Sequence, residues 1–186
     1  MNFLELFNGM ILQVIIIIFL QKITQWIPLA LSVFFARYLA WIFLGILLCF
    51  LMWEIIYHVI NRQRYHLQKI LLALLMSTTT SLILQWVGKK FIIMERPFLQ
   101  GITLFYSYKG DGLDSFPSGH SLVFMALAIT IFKFHKQWGI FFICLAVIIG
   151  VFRAIVGVHW PLDIVAGLFI GGMVGIFSVQ FIKKFS

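Results

Sequence analysis

The chain has 186 residues and a formal net charge of +8; 62% of its residues are hydrophobic and only 11% are charged. Its mean hydropathy is +1.06. Since an average soluble protein is about 45–50% apolar and about 25% charged, this composition excludes an ordinary soluble domain and predicts one integral membrane domain over residues 1–186. The cations stand mostly at the ends of apolar segments, without a basic aromatic face. They therefore indicate membrane orientation and anionic head groups rather than nucleic-acid binding.

Six apolar segments follow one another along the chain, and most approach the ~20 residues that a transmembrane helix needs. They cover residues 3–20, 28–56, 67–87, 117–134, 138–152 and 161–182. We therefore predict an all-α fold, a polytopic membrane helix bundle with about six transmembrane helices. The first segment is short and contains Gln13, so it either spans the membrane or lies in the interface. No basic residue precedes it and no small-x-small site follows it, so we expect no cleavable signal peptide.

The two cysteines, Cys49 and Cys144, both lie inside apolar segments. We expect them to be packing residues, without a disulfide between them and without a role in metal binding.

Basic residues predict which side of the membrane each loop occupies. Six spans place three basic groups on one side, which is cytoplasmic by the positive-inside rule: Arg62, Arg64, Lys69, Lys133, Lys136, Lys183 and Lys184. Cations also occur on the opposite side, namely Lys22, Lys89, Lys90, Arg96, Lys109 and Arg153. A site for an anion on that outer side explains the exception. The polar stretch 95–116 is predicted to be an extramembrane loop that crosses the mouth of this site.

Three short motifs fall on the outer side by simple alternation of the helices. They are Lys89-x6-Arg96-Pro97, Pro117-Ser118-Gly119-His120 and Arg153-x5-His159-x3-Asp163. Cations, two imidazoles and one carboxylate together provide what is needed to hold a phosphate and pass it through a histidine. Arginine binds phosphate oxygens bidentately and lysine acts as a point charge. Lys90 is expected to be an interfacial cation only.

The second motif is typical of a helix start that binds an anion. Proline is favoured at the first helical position, which predicts a helix from Pro117 with the amides of Ser118, Gly119 and His120 pointing outward. Such amides bind anions with the help of the helix dipole. Gly119 allows close approach to the backbone, the Ser118 hydroxyl adds a donor, and His120 stands at the rim.

The third motif pairs a histidine with an acid at another helix start. Pro161 predicts the first turn of a helix, with Asp163 in that turn and His159 just before it. The carboxylate is then within reach of one ring nitrogen of His159. This contact would fix the tautomer and leave the other nitrogen free to attack.

Together and in this order, the motifs resemble the type 2 phosphatidic acid phosphatase superfamily of membrane lipid phosphatases, over Lys89 to Asp163. The resemblance implies that His159 attacks phosphorus to form a phosphohistidine, that His120 protonates the leaving group and that Asp163 orients His159. It implies phosphate binding by five residues: Lys89, Arg96, Ser118, Gly119 and Arg153. No cofactor is implied, and the six acids of the chain form no obvious cluster for a pair of divalent ions. The family's third motif usually has Ser before the arginine; here Phe152 removes that donor.

The small size and short loops are most similar to the bacterial undecaprenyl-diphosphate phosphatases of this superfamily. The resemblance implies a lipid phosphate substrate in the bacterial inner membrane, with the site facing the periplasm. Phosphatidylglycerol phosphate, phosphatidic acid and lipid A 1-phosphate stay open as substrates. Two other classes also stay open: a transporter that uses charges such as Arg37 and Glu54 inside the membrane, and a non-catalytic protein of the same fold.

Overall fold

A computed structural model describes residues 3–101 and 112–185. Within these ranges it contains α1 (Phe3–Ile23), α2 (Leu29–Ile60), α3 (Arg64–Phe91), α4 (Gly119–Phe134), α5 (Lys136–Ile155) and α6 (Pro161–Phe185). Short 3-10 segments occur at Thr24–Trp26 and Pro97–Gln100. The described residues include no β-strand beyond one isolated bridge between Met94 and Asp114. The prediction of an all-α fold is confirmed.

Among the residues that the structure describes, four helices are long and apolar enough to cross a membrane: Ala30–Ile60, Arg64–Phe91, Lys136–Ile155 and Pro161–Phe185. Helix α4 is also apolar, but its 16 residues extend only about 24 Å at 1.5 Å per residue. Many large apolar side chains remain exposed on the outer faces of the bundle, among them Leu75, Phe169 and Phe177. Such a surface requires an apolar solvent, so the structure supports the predicted polytopic membrane bundle.

Helix α4 forms the centre of the bundle, since it packs against α3, α5 and α6. Most of its residues are buried. Aromatic side chains connect α2 to both α4 and α5: the ring of Phe43 in α2 lies 4.3 Å from that of Phe124 in α4 and 4.9 Å from that of Phe142 in α5. The surrounding helices therefore hold a short central helix whose two ends both carry polar residues.

A row of glycines lets α6 contact α4 backbone to backbone. Gly167, Gly171 and Gly175 recur every fourth residue on the face of α6 that meets α4. A Cβ atom added at Gly171 would lie 2.2 Å from the carbonyl oxygen of Leu122, whereas one added at Gly172 would have no neighbour within 4 Å. Small residues at this spacing are typical of close helix pairs in membranes. The contact fixes the starts of α4 and α6 relative to each other.

Both cysteines differ from the expectation. Cys49 and Cys144 are free and exposed, so they lie on the outer surface of the bundle rather than in its core. The physical reason is that an apolar surface is favourable next to lipid, so apolar surroundings in the sequence of a membrane protein do not predict burial.

Candidate active site

The three sequence motifs meet at one end of the bundle, where α3 and α5 end and α4 and α6 begin. The indole Nε1 of Trp160 donates a hydrogen bond to the carbonyl of Glu95 at 2.7 Å, which joins the third motif to the first. The amide of Ser118 donates to the carbonyl of Asp163 at 3.1 Å, which joins the second motif to the third. Residues that are up to 74 positions apart in the sequence therefore form one cluster.

A short backbone pairing brings the segment before α4 alongside the end of the first motif. The amide of Met94 donates to Leu113 O at 3.0 Å, and the amide of Ser115 donates to Met94 O at 3.0 Å. The amide of Arg96 donates to the carbonyl of Gly112 at 2.9 Å. This pairing places two residues of the polar loop, Asp114 and Ser115, within the site. The loop residues Lys109, Gly110 and Asp111 lie outside the described residues.

His159 is buried, with 2% of its surface exposed, and its two ring nitrogens face different groups. Nε2 lies 3.5 Å from Nη1 of Arg96, whereas Nδ1 lies 3.7 Å from Oδ2 of Asp163. Burial holds the pKa of His159 well below its usual range, and the charge of Arg153 acts in the same direction. The imidazole is therefore neutral, and the nitrogen nearest the Arg96 guanidinium is the one directed away from the carboxylate.

Asp163 lies in the first turn of α6 as predicted, and it is completely buried. Its Oδ2 accepts a hydrogen bond from the amide of Trp160 at 2.9 Å and another from the Ser115 hydroxyl. The distance to His159 is longer than a hydrogen bond, so the predicted direct contact is a close approach in this structure. Sequence reasoning missed Ser115, because a serine in a polar loop carries no signal of its own.

Asp114 is the second residue that sequence reasoning did not assign to the site. Its Oδ2 lies 2.9 Å from Nζ of Lys89, and its Oδ1 accepts a hydrogen bond from Nε of Arg96 at 3.0 Å. Burial alone would raise the pKa of Asp114, but the hydrogen bonds and charges of these two cations outweigh it and hold the pKa well below its usual range. An ionised carboxylate therefore bridges both cations of the first motif.

Arg96 is held more rigidly than a surface arginine. It is 1% exposed, and its Nη1 donates to the carbonyl of Val158 at 3.0 Å, next to His159. These contacts fix the guanidinium between Asp114 and the histidine. A preorganised arginine loses little conformational entropy when it binds an oxyanion.

The second motif differs from the expectation in one respect. Helix α4 begins at Gly119 with Ser118 as its N-cap, and the peptide bond between Phe116 and Pro117 is cis. Pro117 is therefore outside the helix. The amide of Ser118 is bonded to Asp163 O, which removes it from the predicted set of anion donors.

His120 lies at the rim, as predicted, and lines an open cleft of ≈ 180 Å³ together with Gln85, Gly119, Val123 and Phe124. A Cβ atom added at Gly119 would lie 2.4 Å from the Gln85 side chain. A side chain at position 119 would therefore displace the Gln85 amide, which also lines the cleft.

Arg153 closes the site from the side of α5. It is buried, and its Nη1 donates to the carbonyl of Ala36 in α2 at 3.4 Å. Its charge lies close enough to both His120 and His159 to interact with their rings. The preceding Phe152 packs its ring against Phe35 at 4.8 Å, so the side chain that replaces the usual serine contacts α2.

The eight predicted site residues thus all lie at one end of the bundle. Lys90, which was expected to be an interfacial cation, places its Nζ 4.9 Å from the centre of the Trp86 ring. A buried neutral histidine beside fixed cations, with a second histidine at the mouth of a cleft, is an arrangement suited to transferring a phosphoryl group.

Comparison with known proteins agrees with the motifs. Residues 70–186 match the PAP2 superfamily, and the chain belongs to this family. It is 37% identical over 125 residues to a putative undecaprenyl-diphosphatase, YbjG, of Escherichia coli, covering 66% of this chain and 60% of that protein. It is 35% identical over 115 residues to an undecaprenyl-diphosphatase of Sulfolobus acidocaldarius, covering 61% of this chain and 55% of that protein. The alignments thus span less than two thirds of these relatives.

The fold is also similar to a solved structure. The crystal structure of LpxE from Aquifex aeolicus superposes with a TM-score of 0.61 and 26% sequence identity, covering 87% of this chain and 93% of that one. This coverage is larger than residues 70–186, so the similarity includes part of the chain that precedes the family match.

Proposed function

We propose that this protein is an integral membrane lipid phosphatase that removes the terminal phosphate of undecaprenyl diphosphate through a phosphohistidine at His159. The observation that carries the proposal is the orientation of His159. Its Nε2 faces the Arg96 guanidinium while its Nδ1 faces the Asp163 carboxylate. An imidazole held in this way presents a lone pair where a bound phosphate would meet the cations.

In the first step, Nε2 of His159 attacks the terminal phosphorus and the bond from phosphorus to the bridging oxygen breaks. Lys89, Arg96 and Arg153 neutralise the developing charge on the phosphoryl oxygens, with the Ser118 hydroxyl and the Gly119 amide as further contacts. The negative charge of the bound diphosphate offsets the cations and lets His120 take up a proton, which His120 then gives to the departing oxygen. The Asp163 carboxylate, 3.7 Å from Nδ1, stabilises the cationic ring that forms.

In the second step, water attacks the phosphohistidine and inorganic phosphate is released. His120, now neutral, takes the proton from the attacking water, which returns both histidines to their starting states. Every charge in this cycle is supplied by residues at one end of the bundle, so we expect turnover without a cofactor or a metal ion.

The relatives support the choice of substrate, since two of them are named undecaprenyl-diphosphatases. The basic residues support the orientation: Arg62 and Arg64 lie at the bundle end opposite to the site, as do Lys183 and Lys184. By the positive-inside rule that end is cytoplasmic. The site would then open to the periplasmic side of a bacterial inner membrane.

The proposal is tested with purified protein in detergent, in parallel samples with and without EDTA. Phosphate release is measured from undecaprenyl diphosphate, phosphatidylglycerol phosphate, phosphatidic acid and a lipid A 1-phosphate. We expect the highest kcat/KM for undecaprenyl diphosphate. A higher value for another lipid would change the substrate but keep the enzyme, whereas no release from any of the four would overturn the phosphatase proposal and favour the transporter alternative.

A further inference from the structure

A second polar cluster lies at the other end of the bundle. Glu54 and His58 are one turn apart on α2, and His135 occupies the junction between α4 and α5. Glu54 is 0% exposed, His58 is 3% exposed and His135 is 25% exposed. Since His120 and His135 are at opposite ends of α4, about 22 Å apart at 1.5 Å per residue, this cluster is separate from the phosphate site.

The three side chains converge as metal ligands do. The two carboxylate oxygens of Glu54 face different histidines: Oε2 lies 3.0 Å from Nε2 of His58, and Oε1 lies 2.8 Å from Nε2 of His135. The ligand atoms all lie within 4.8 Å of one another. With metal–ligand bonds of about 2.0–2.1 Å, neighbouring ligands of a tetrahedral zinc ion lie about 3.3 Å apart. The observed contacts are only a few tenths of an ångström shorter.

Hydrogen bonding does not account for these contacts. Neither Nε2 atom and neither Glu54 oxygen has a partner with hydrogen-bond geometry. On the other side of its ring, Nδ1 of His58 lies 3.1 Å from Oε1 of Gln63. With the amide oxygen as acceptor, Nδ1 carries the proton, and Nε2 of the neutral ring then turns a lone pair towards a carboxylate.

This is the pattern of a metal-bound histidine. Such a histidine typically donates its other N–H to an oxygen, which fixes the tautomer and directs the free nitrogen at the ion. A lone pair and a carboxylate oxygen 3.0 Å apart repel each other unless a proton lies between them or a metal ion lies beside both, and this contact lacks hydrogen-bond geometry. Gln63 therefore provides an independent reason to place a cation among Glu54, His58 and His135.

The surroundings of the cluster also require a positive charge. Glu54 is enclosed by protein, and the rings of Phe50 and Trp53 lie 5.6 and 6.0 Å from that of His135. A carboxylate in such surroundings is costly unless a cation compensates it. A neutral imidazole supplies a lone pair but no charge, whereas a divalent ion uses both lone pairs and neutralises the carboxylate.

We propose that Glu54, His58 and His135 bind one divalent transition-metal ion of the Zn²⁺ class. Two imidazoles and one carboxylate form a common ligand set for zinc with an open fourth position. Water takes that position from the side where His135 is partly exposed. The ion attaches the end of α2 to the corner between α4 and α5.

The corner is preorganised for this role. The amide of His135 donates to Ile131 O at 2.7 Å, and its carbonyl accepts from the amide of Gly139 at 2.8 Å. A Cβ atom added at Gly139 would lie 2.2 Å from Cα of Phe132, so α4 and α5 meet at a tight and well-defined angle. His135 is thus held by the backbone on both sides before any metal binds.

The test uses the full-length protein, purified in detergent with its affinity tag removed and stripped with EDTA. Zn²⁺ is titrated by calorimetry against a competing chelator, and bound zinc is counted after gel filtration. We expect one zinc per chain and a higher Tm with zinc. Gln63→Ala should weaken zinc binding by about 10–100-fold, the range for outer hydrogen-bond partners of metal ligands. Glu54→Gln and His135→Ala should weaken it further.

His66→Ala is the matched control. The ring of His66 lies 5.0 Å from that of His58, but the three ligands do not include it, so this variant should bind zinc as the wild type does. If wild-type protein takes up no zinc, or if His135→Ala retains wild-type affinity, the proposal is wrong and the cluster is a His–Glu network. Gln63→Ala leaves all three ligands in place, so its zinc affinity tests the site even if a ligand variant fails to fold.

Discussion

The contact between α6 and α4 predicts a large difference between two adjacent glycines. Gly171→Ala places a Cβ atom 2.2 Å from the carbonyl oxygen of Leu122, whereas Gly172→Ala places one in open space. An ordinary contact of this kind is at least 3.4 Å. The two helices must therefore separate by about 1.2 Å at this point, because the opposing atom is backbone and has no rotamer into which it can move.

The separation affects both stability and activity. Overpacking of this kind costs about 1–3 kcal/mol, which corresponds to a fall in Tm of about 2–4 °C per kcal/mol for a chain of this size. It also moves the start of α6 away from that of α4, where the Ser118 amide is bonded to the Asp163 carbonyl at 3.1 Å. A 1 Å error in the position of catalytic groups can cost about 10²-fold in rate. We therefore expect kcat/KM to fall by roughly that factor.

The assay compares Tm in detergent and phosphate release from a lipid phosphate for wild type, Gly171→Ala and Gly172→Ala. The Gly172→Ala variant should match the wild type in both measurements, since its methyl group faces open space. Equal Tm and equal kcat/KM for the two alanine variants would refute the argument that the glycine face sets the geometry of the site.

Three further predictions concern the site and the topology. His159→Ala should lose turnover on every substrate. His120→Ala should lose about 10²–10⁴-fold in turnover on a phosphomonoester lipid and less on a diphosphate or an aryl phosphate. Equal losses in both variants on all substrates would exclude His120 as the acid. Asp114→Asn should bind vanadate about 5–30-fold more tightly, because it removes a negative charge about 5 Å from the bound anion. Such a charge contributes roughly 3 kcal/mol at an effective dielectric constant near 20, and solvent screening reduces that value. Weaker binding would mean that Asp114 mainly positions its cations. In a background without the native cysteines, Leu113→Cys should react with an impermeant thiol reagent from outside, and Asn61→Cys should react only after permeabilisation. Labelling of both from one side would contradict the proposed orientation.

The sequence predicted the helices and the convergence of the motifs because both follow from local patterns. A run of apolar residues predicts a membrane helix whatever its neighbours are, and alternation of helices then places the ends of every second segment on the same side. The third motif has the same character: Pro161 marks a helix start, which fixes Asp163 close to His159 in three-dimensional space.

The residues that were missed depend on contacts between distant segments. Asp114 reaches Lys89 and Arg96 only because the backbone near Met94 pairs with residues 113–115, and no local pattern predicts that pairing. His135 is likewise far in sequence from Glu54. Glu54 and His58 lie one helical turn apart on α2, but no spacing in the sequence relates them to His135, which joins them only in the folded bundle.

The charges around His159 favour the binding of a terminal phosphate. Three cations lie around His159, and their charges together with burial keep its ring neutral: Lys89, Arg96 and Arg153. The ionised carboxylate of Asp114 bridges two of these cations and is about one third exposed. A terminal phosphate with two negative charges would compensate the remaining positive charge better than Asp114 does. Substrate binding would then draw the cations towards the phosphoryl oxygens and stabilise the cationic ring that forms as His159 attacks. The same charges that keep the imidazole nucleophilic before binding would thus stabilise the transition state afterwards, which is the differential interaction that catalysis requires.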